Sequence, residues 1–173
     1  MRIFLIGFMG SGKSFTGRRL AQQAGMRFVD LDEWVENKEG RSIRAIFGEK
    51  GEPYFRKAER DALRDMLQFP DVVVSCGGGT PCFHQNMPWM NEQGVTIYLR
   101  APVSLLARRL AGQQGHRPLL DKMGRHEMEA FIRSKLEERE PFYMESSIVY
   151  EQRHKEEPVA ENLLRHFQDL IGH

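Results

Sequence analysis

The chain has 173 residues, enough for one well-buried core and too few for two ordinary domains, so a single domain over 1–173 is expected. With 40% hydrophobic and 28% charged residues and a formal net charge of +1, it reads as a soluble globular protein without the basic excess of a nucleic-acid binder. Its two cysteines, Cys76 and Cys82, are too few for a disulfide framework and lack the paired spacing of a zinc site, which leaves both as reduced, buried thiols.

The apolar run over residues 2–6 reads as a strand buried on both faces, as at the centre of a parallel sheet. Lys13 ends the N-terminal apolar stretch too early for a secretory signal. The longest stretch without Asp, Glu, Lys or Arg, residues 72–91, holds Gly77-Gly78-Gly79, Pro81 and Pro88, so it is no membrane span. A cytoplasmic protein with no membrane partner is expected.

Directly after the first strand comes Gly7-Phe8-Met9-Gly10-Ser11-Gly12-Lys13-Ser14, which fits the P-loop pattern G-x-x-x-x-G-K-[ST] and opens a helix over about 13–24. Strand, glycine turn and helix N-terminus together present backbone N–H groups to one point, a nest suited to polyphosphate. Lys13 would neutralise the β- and γ-phosphates, and the Ser14 hydroxyl would be a ligand for Mg²⁺. Gly25 stops the helix, and a short strand over 26–29 runs into Asp30-Leu31-Asp32. Carboxylates at the C-terminal end of such a strand share the crevice with the P-loop, unless they serve only to cap a helix that begins near Glu33.

A helix over 34–38 ends at Gly40, Ser42 caps another through 47, and Pro53 starts a third that continues towards Pro70. Arg56 and Glu59, three apart, share a face of it; spacing alone favours a surface ion pair. The next strand, 72–74, enters Ser75-Cys76-Gly77-Gly78-Gly79-Thr80-Pro81. These glycines either let the backbone approach a ligand or make a plain sharp turn. No Asp ends this strand, so Asp30 is the available substitute for an outer metal shell.

A helix over 86–92, a strand over 95–99 and a helix from Pro102 to about 111 follow, the last ending in Arg108-Arg109. Residues 112–124 are polar and glycine-punctuated around Arg117-Pro118-Leu119-Leu120, and read as a mobile lid or an ordinary surface loop. A helix over 127–140 turns Phe131, Ile132 and Leu136 inward and carries Arg139 near its end, where a cation suits the helix dipole in any case. A fifth strand spans 148–150, Arg153 and His154 lie in the loop after it, and Pro158 begins a final helix to 171. Regular alternation of strands and helices predicts a three-layer α/β/α P-loop fold on a five-stranded parallel sheet.

Taken together, Gly7 to Ser14, Asp30-Leu31-Asp32, Phe55-Arg56-Lys57-Ala58-Glu59, Gly77-Gly78-Gly79, Arg117-Pro118-Leu119-Leu120 and Arg139-Glu140-Pro141-Phe142-Tyr143 make the chain resemble the shikimate kinases. The resemblance implies ATP-dependent phosphorylation of the 3-hydroxyl of shikimate, on the route to aromatic amino acids, with ATP as co-substrate and Mg²⁺ as cofactor; a monomer is expected. It implies catalytic roles for Lys13, Asp32 and Arg117, and ATP contacts from Gly10, Ser11, Gly12, Lys13, Ser14, Phe15, Arg109, Arg117 and Arg153, with Pro158 bordering the adenine. It gives the acceptor to a segment over about 31–61 and to Asp32, Arg56, Glu59, Gly78, Gly79 and Arg139, with Arg56 and Arg139 on the carboxylate and Glu59 orienting Arg56. Ser14 would meet the metal directly and Asp30 through water, with Ser75 helping in that outer shell.

A gluconate or nucleoside monophosphate kinase of the same fold is the competing enzyme, and a nucleotide-dependent switch or silent binding module the competing class. A nucleotide acceptor would call for a base pocket that Asp32, Arg56, Gly79 and Arg139 do not make. A GTP switch needs N-K-x-D, and Asn37-Lys38-Glu39-Gly40 lacks the Asp.

Overall fold

The computed structural model describes residues 1–112, 123–154 and 157–171. Arg117 and most of the lid expected over 112–124 lie outside the described residues. Five parallel strands form one sheet in the order β2-β3-β1-β4-β5: β1 (Arg2–Ile6), β2 (Arg27–Asp30), β3 (Val72–Ser75), β4 (Val95–Arg100) and β5 (Ile148–Glu151). Around them lie α1 (Lys13–Ala24), α2 (Leu31–Glu39), α3 (Ile43–Arg64), α4 (Asn86–Gln93), α5 (Val103–Ala111), α6 (Arg125–Tyr143) and α7 (Val159–Ile171).

Side-chain alternation along the strands divides the interior. Ile3, Leu5, Val73, Ile97 and Leu99 face the α1 and α7 side with Leu20 and Leu163, whereas Phe4, Ile6, Val72, Val74 and Tyr98 face the opposite layer with Val35, Leu63 and Met90. Burial on both faces explains why β1, β3 and β4 read as unbroken apolar runs. Among the described residues, no helix is long and apolar enough to cross a membrane.

Several expected boundaries move, each for a local reason. α2 begins at Leu31, because Asp30 itself is the cap: its Oδ1 accepts from the backbone N–H of Asp32 at 3.1 Å and of Glu33 at 3.5 Å. The two helices expected around Ser42 and Pro53 abut as α3, with a break at Gly51 (φ 80°, ψ 170°); Pro53 falls just after that break, where its missing N–H costs no helical bond. α3 stops at Arg64, followed by a 3₁₀ turn over Asp65–Gln68. α6 runs on through Pro141 to Tyr143, longer than its apolar periodicity alone indicates.

The chain's C-terminal strand ends all deliver their loops to one edge. β1 feeds the P-loop, β2 feeds Asp30 and Asp32, and β3 feeds Ser75 and the glycine run. The β2–β3 register sets Asp30 beside Ser75, and the β1–β3 register sets Leu5 beside the same serine. This is the sheet edge at which open α/β folds bind ligands.

Candidate active site

A cavity of about 640 Å³ opens at that edge, with Lys13, Ser14, Asp30, Asp32, Ser75 and Gly78 among its walls. Gly12 caps α1 in the left-handed region (φ 88°, ψ 19°), a conformation that glycine adopts without penalty and that turns the loop into the helix. Lys13 Nζ donates to the carbonyls of Gly7 at 2.8 Å and Phe8 at 2.9 Å, which holds the ammonium across the loop. Ser14 Oγ donates to Asp30 Oδ2 at 2.6 Å and lies 3.1 Å from Ser75 Oγ. Asp30 therefore does two things at once: one carboxylate oxygen caps α2 and the other faces Ser14.

These oxygens form a donor set that fits a small hard cation, which takes oxygen ligands and keeps several waters. Among the described residues, no cluster of three or more His, Cys, Asp or Glu side chains is arranged for a metal. A cation here would thus lean on Ser14, Asp30 through water, and bound phosphates.

Asp32 sits deeper. Burial, then the neighbouring charges of Asp30 and Glu59, push its pKa up to about 6, while Lys13 pulls the other way. A carboxylate tuned so near neutrality can still be ionised at physiological pH and yet accept a proton usefully.

The pair Arg56–Glu59 is not the surface ion pair that helical spacing favours. Glu59 is 1% exposed, and its Oε2 accepts from Arg56 Nη1 at 2.9 Å while its Oε1 accepts from the Thr80 hydroxyl at 2.6 Å. Glu52 takes Arg56 Nε at 3.2 Å, and the guanidinium lies 4.2 Å from the Phe83 ring centroid. A buried charge needs such partners on every side. The Thr80 carbonyl is held in turn by Asn86, whose side-chain oxygen accepts from Arg64.

The glycine run is no plain turn either. A Cβ on Gly77 would stand 3.1 Å from both Asp32 Oδ1 and Glu59 Oε1, one on Gly78 3.1 Å from Arg139 Nη1, and one on Gly79 2.5 Å from Arg56 Nη2. Three successive positions thus make room for four charged side chains, two at Gly77 and one each at Gly78 and Gly79. Arg139 arrives from α6, with Phe8 5.7 Å from its guanidinium carbon, and the Tyr143 hydroxyl one turn on donates to the Gly78 carbonyl.

A second cavity of about 400 Å³ adjoins the P-loop, walled by Gly12, Phe15, Arg109 and Pro158 among others. Phe15 is 68% exposed at its rim, and Arg109 Nη1 donates to the Gly10 carbonyl at 3.1 Å. Arg153 is exposed and walls neither of the two cavities. Of the cysteines, Cys76 is fully buried, as expected, but Cys82 is only half-buried, and burial pushes its thiol up to about 11.

The sequence alone gives no role to Thr80, Tyr143 or Gln152. Thr80 and Tyr143 lie inside the stretches that hold the glycine run and Arg139, and that proximity is the signal that marks them. Gln152 carries no sequence signal; a lone amide after a strand resembles any loop residue.

The family model described as shikimate kinase matches residues 9–168. A shikimate kinase from Parabacteroides distasonis is 44% identical over 150 residues, covering 87% of each chain. The solved shikimate kinase of Bacteroides thetaiotaomicron superposes with a TM-score of 0.91 at 36% identity, over 100% of this chain and 99% of that one. That of Acinetobacter baumannii, in complex with shikimate, gives 0.83 at 32% identity over 98% and 92%. A gluconokinase from Sinorhizobium meliloti, 20% identical with a TM-score of 0.60 over 95% and 87%, shares the fold alone.

Proposed function

The chain belongs to the shikimate kinase family, and on that premise we propose how its own residues divide the phosphorylation of shikimate by ATP. The observation that carries the division is the glycine run, where Asp32, Arg139 and Arg56 each close on one glycine. That spacing suits a small ring with a carboxylate at one end and hydroxyls at the other. Arg56 and Arg139 bind the carboxylate by charge-assisted hydrogen bonds, and the Gly78 and Gly79 amides border the ring.

Asp32 accepts the hydrogen bond of the attacking hydroxyl. As that oxygen bonds to the γ-phosphorus and the bond to ADP breaks, the proton passes to the Asp32 carboxylate. Lys13 spreads its charge over the transferring group, and Arg117 of the 112–124 segment supplies a second cation. Ser14 would hold Mg²⁺ directly and Asp30 through water, with Ser75 beside them, and the bound ion would screen the phosphate charge. Arg109, Phe15 and Pro158 border the adenine, with Arg153 outermost.

Residues about 31–61 carry the acceptor, and every residue given a role comes from one chain and one domain, so a monomer suffices. A cytoplasmic setting, where ATP is abundant and thiols stay reduced, fits two unpaired cysteines.

ADP release from Mg-ATP by purified protein, with shikimate, gluconate, adenylate or no acceptor, tests this reading. Release that depends on shikimate alone is expected. Release with adenylate, which has no carboxylate, in its place would remove the carboxylate roles of Arg56 and Arg139 while keeping the P-loop.

A further inference from the structure

Gln152 is the buried amide in the loop between β5 and α7, 4% exposed, and both ends of its side chain are used. Its Nε2 donates to the Ser11 carbonyl of the P-loop at 2.9 Å, and its Oε1 accepts from Arg109 Nη1 at 3.0 Å. Its own backbone N–H donates to the Arg100 carbonyl at 2.8 Å, which pins the loop to the end of β4.

The polarity of these bonds fixes the amide's orientation, because a guanidinium only donates and a carbonyl only accepts. It also fixes a peptide plane. In a trans peptide the C=O and the following N–H point in opposite directions, and none of the described peptide bonds is cis. Turning the Ser11 carbonyl towards Gln152 therefore directs the Gly12 N–H away from it, and Gly12 walls both cavities. At the other end, Arg109 is pulled against the loop, where it also reaches the Gly10 carbonyl.

We propose that Gln152 is a positioning residue for the nucleotide, its one amide setting both the Ser11–Gly12 peptide and the Arg109 guanidinium. This deepens, and rests on, the nucleotide role given to Arg109 above. Gln152 acts through the two groups that it holds, the Ser11 carbonyl and Arg109.

The test compares wild type with Gln152→Met, which keeps the length and loses both hydrogen bonds, and Gln152→Glu, which can still accept from Arg109 but opposes an anion to the Ser11 carbonyl. Each is measured for the KM of ATP and of shikimate and for ADP binding by calorimetry, alone and with Arg109→Ala. Two lost hydrogen bonds of ordinary worth correspond to roughly a tenfold effect. Gln152→Met should therefore raise the KM of ATP and the Kd of ADP about tenfold, with the KM of shikimate within about twofold. Gln152→Glu should fall between that variant and wild type. Combined with Arg109→Ala, the Gln152→Met defect should be clearly smaller than in the single variant.

An unchanged KM for ATP in Gln152→Met, or an equal rise for both substrates, would overturn the proposal. Full additivity with a real Arg109→Ala defect would overturn the coupling alone. An Arg109→Ala variant that binds ADP normally would overturn the nucleotide role of Arg109 itself. ADP calorimetry reads binding without turnover, so it still decides if the variants are catalytically slow.

Discussion

Gly79 and Arg56 stand so close that a methyl group on the glycine would lie 2.5 Å from the arginine's Nη2 and 2.8 Å from its Nη1. Arg56 cannot simply swing aside, because Glu52, Glu59 and the Phe83 ring hold it on three sides. Gly79→Ala should displace the guanidinium and raise the KM of shikimate about tenfold or more, the worth of one charge-assisted hydrogen bond. Nucleotide affinity should stay near wild type. Steady-state kinetics with each substrate varied in turn checks this; equal effects on both would point to general disruption.

Thr80→Val removes the hydroxyl that donates to buried Glu59 Oε1 at 2.6 Å. A buried carboxylate oxygen left unsatisfied costs on the order of 1–3 kcal/mol. We expect urea denaturation to show a loss in that range, and shikimate binding to weaken because Glu59 orients Arg56. Thr80→Ser keeps the donor and should recover most of both; a Ser variant as damaged as the Val variant would mean the methyl group, and not the hydroxyl, matters.

The strands, the P-loop and α1 were legible because their signals are local. Period, glycine pattern and caps are written within a few residues, and 2–6 and 13–24 match β1 and α1. What burial does to Arg56 and Glu59 was not, since three-residue spacing on a helix is the same for a surface pair and a sealed one. Only the packing of Phe83 and the glycine run against α3 decides between them. Asp30 shows the same limit in milder form: in the sequence, capping a helix and facing the P-loop crevice read as alternatives, and its two carboxylate oxygens do both.

That division of labour in Asp30 can be separated. Asp30→Asn keeps an acceptor for the α2 cap but places a neutral group opposite Ser14, so stability should hold within about 0.5 kcal/mol while the Mg²⁺ needed for half-maximal activity rises about tenfold. Asp30→Ala should show the same metal defect and lose a further ~1 kcal/mol through the cap. Magnesium titrations and thermal melts on the two variants provide the comparison. Equal melting losses in both would remove the capping role.

Asp32 makes stability and activity respond to pH in opposite senses. Its folded-state pKa of about 6 lies above the unfolded 3.8, so the native state binds the proton more tightly. The stability it contributes is full below about pH 4 and is lost as pH rises through 6, a swing on the order of 2–3 kcal/mol for a shift of about two units. Asp32→Asn should therefore be more stable than wild type at pH 8 and nearly equal to it at pH 4. Meanwhile kcat/KM of the wild type should fall on the acid side with an apparent pKa near 6, as the carboxylate becomes protonated. Denaturation curves at several pH values check the first and a pH–rate profile the second.

The most direct measurement joins binding to turnover in one variant: shikimate affinity by calorimetry and shikimate-dependent ADP release for Asp32→Asn beside wild type. Asp32→Asn should bind shikimate within about tenfold of wild type, since the proposed division of roles leaves the carboxylate to Arg56 and Arg139, and should release ADP at least about a thousandfold more slowly. Wild-type turnover in Asp32→Asn would contradict the role of its carboxylate and, with it, the assembly of the site around the glycine run.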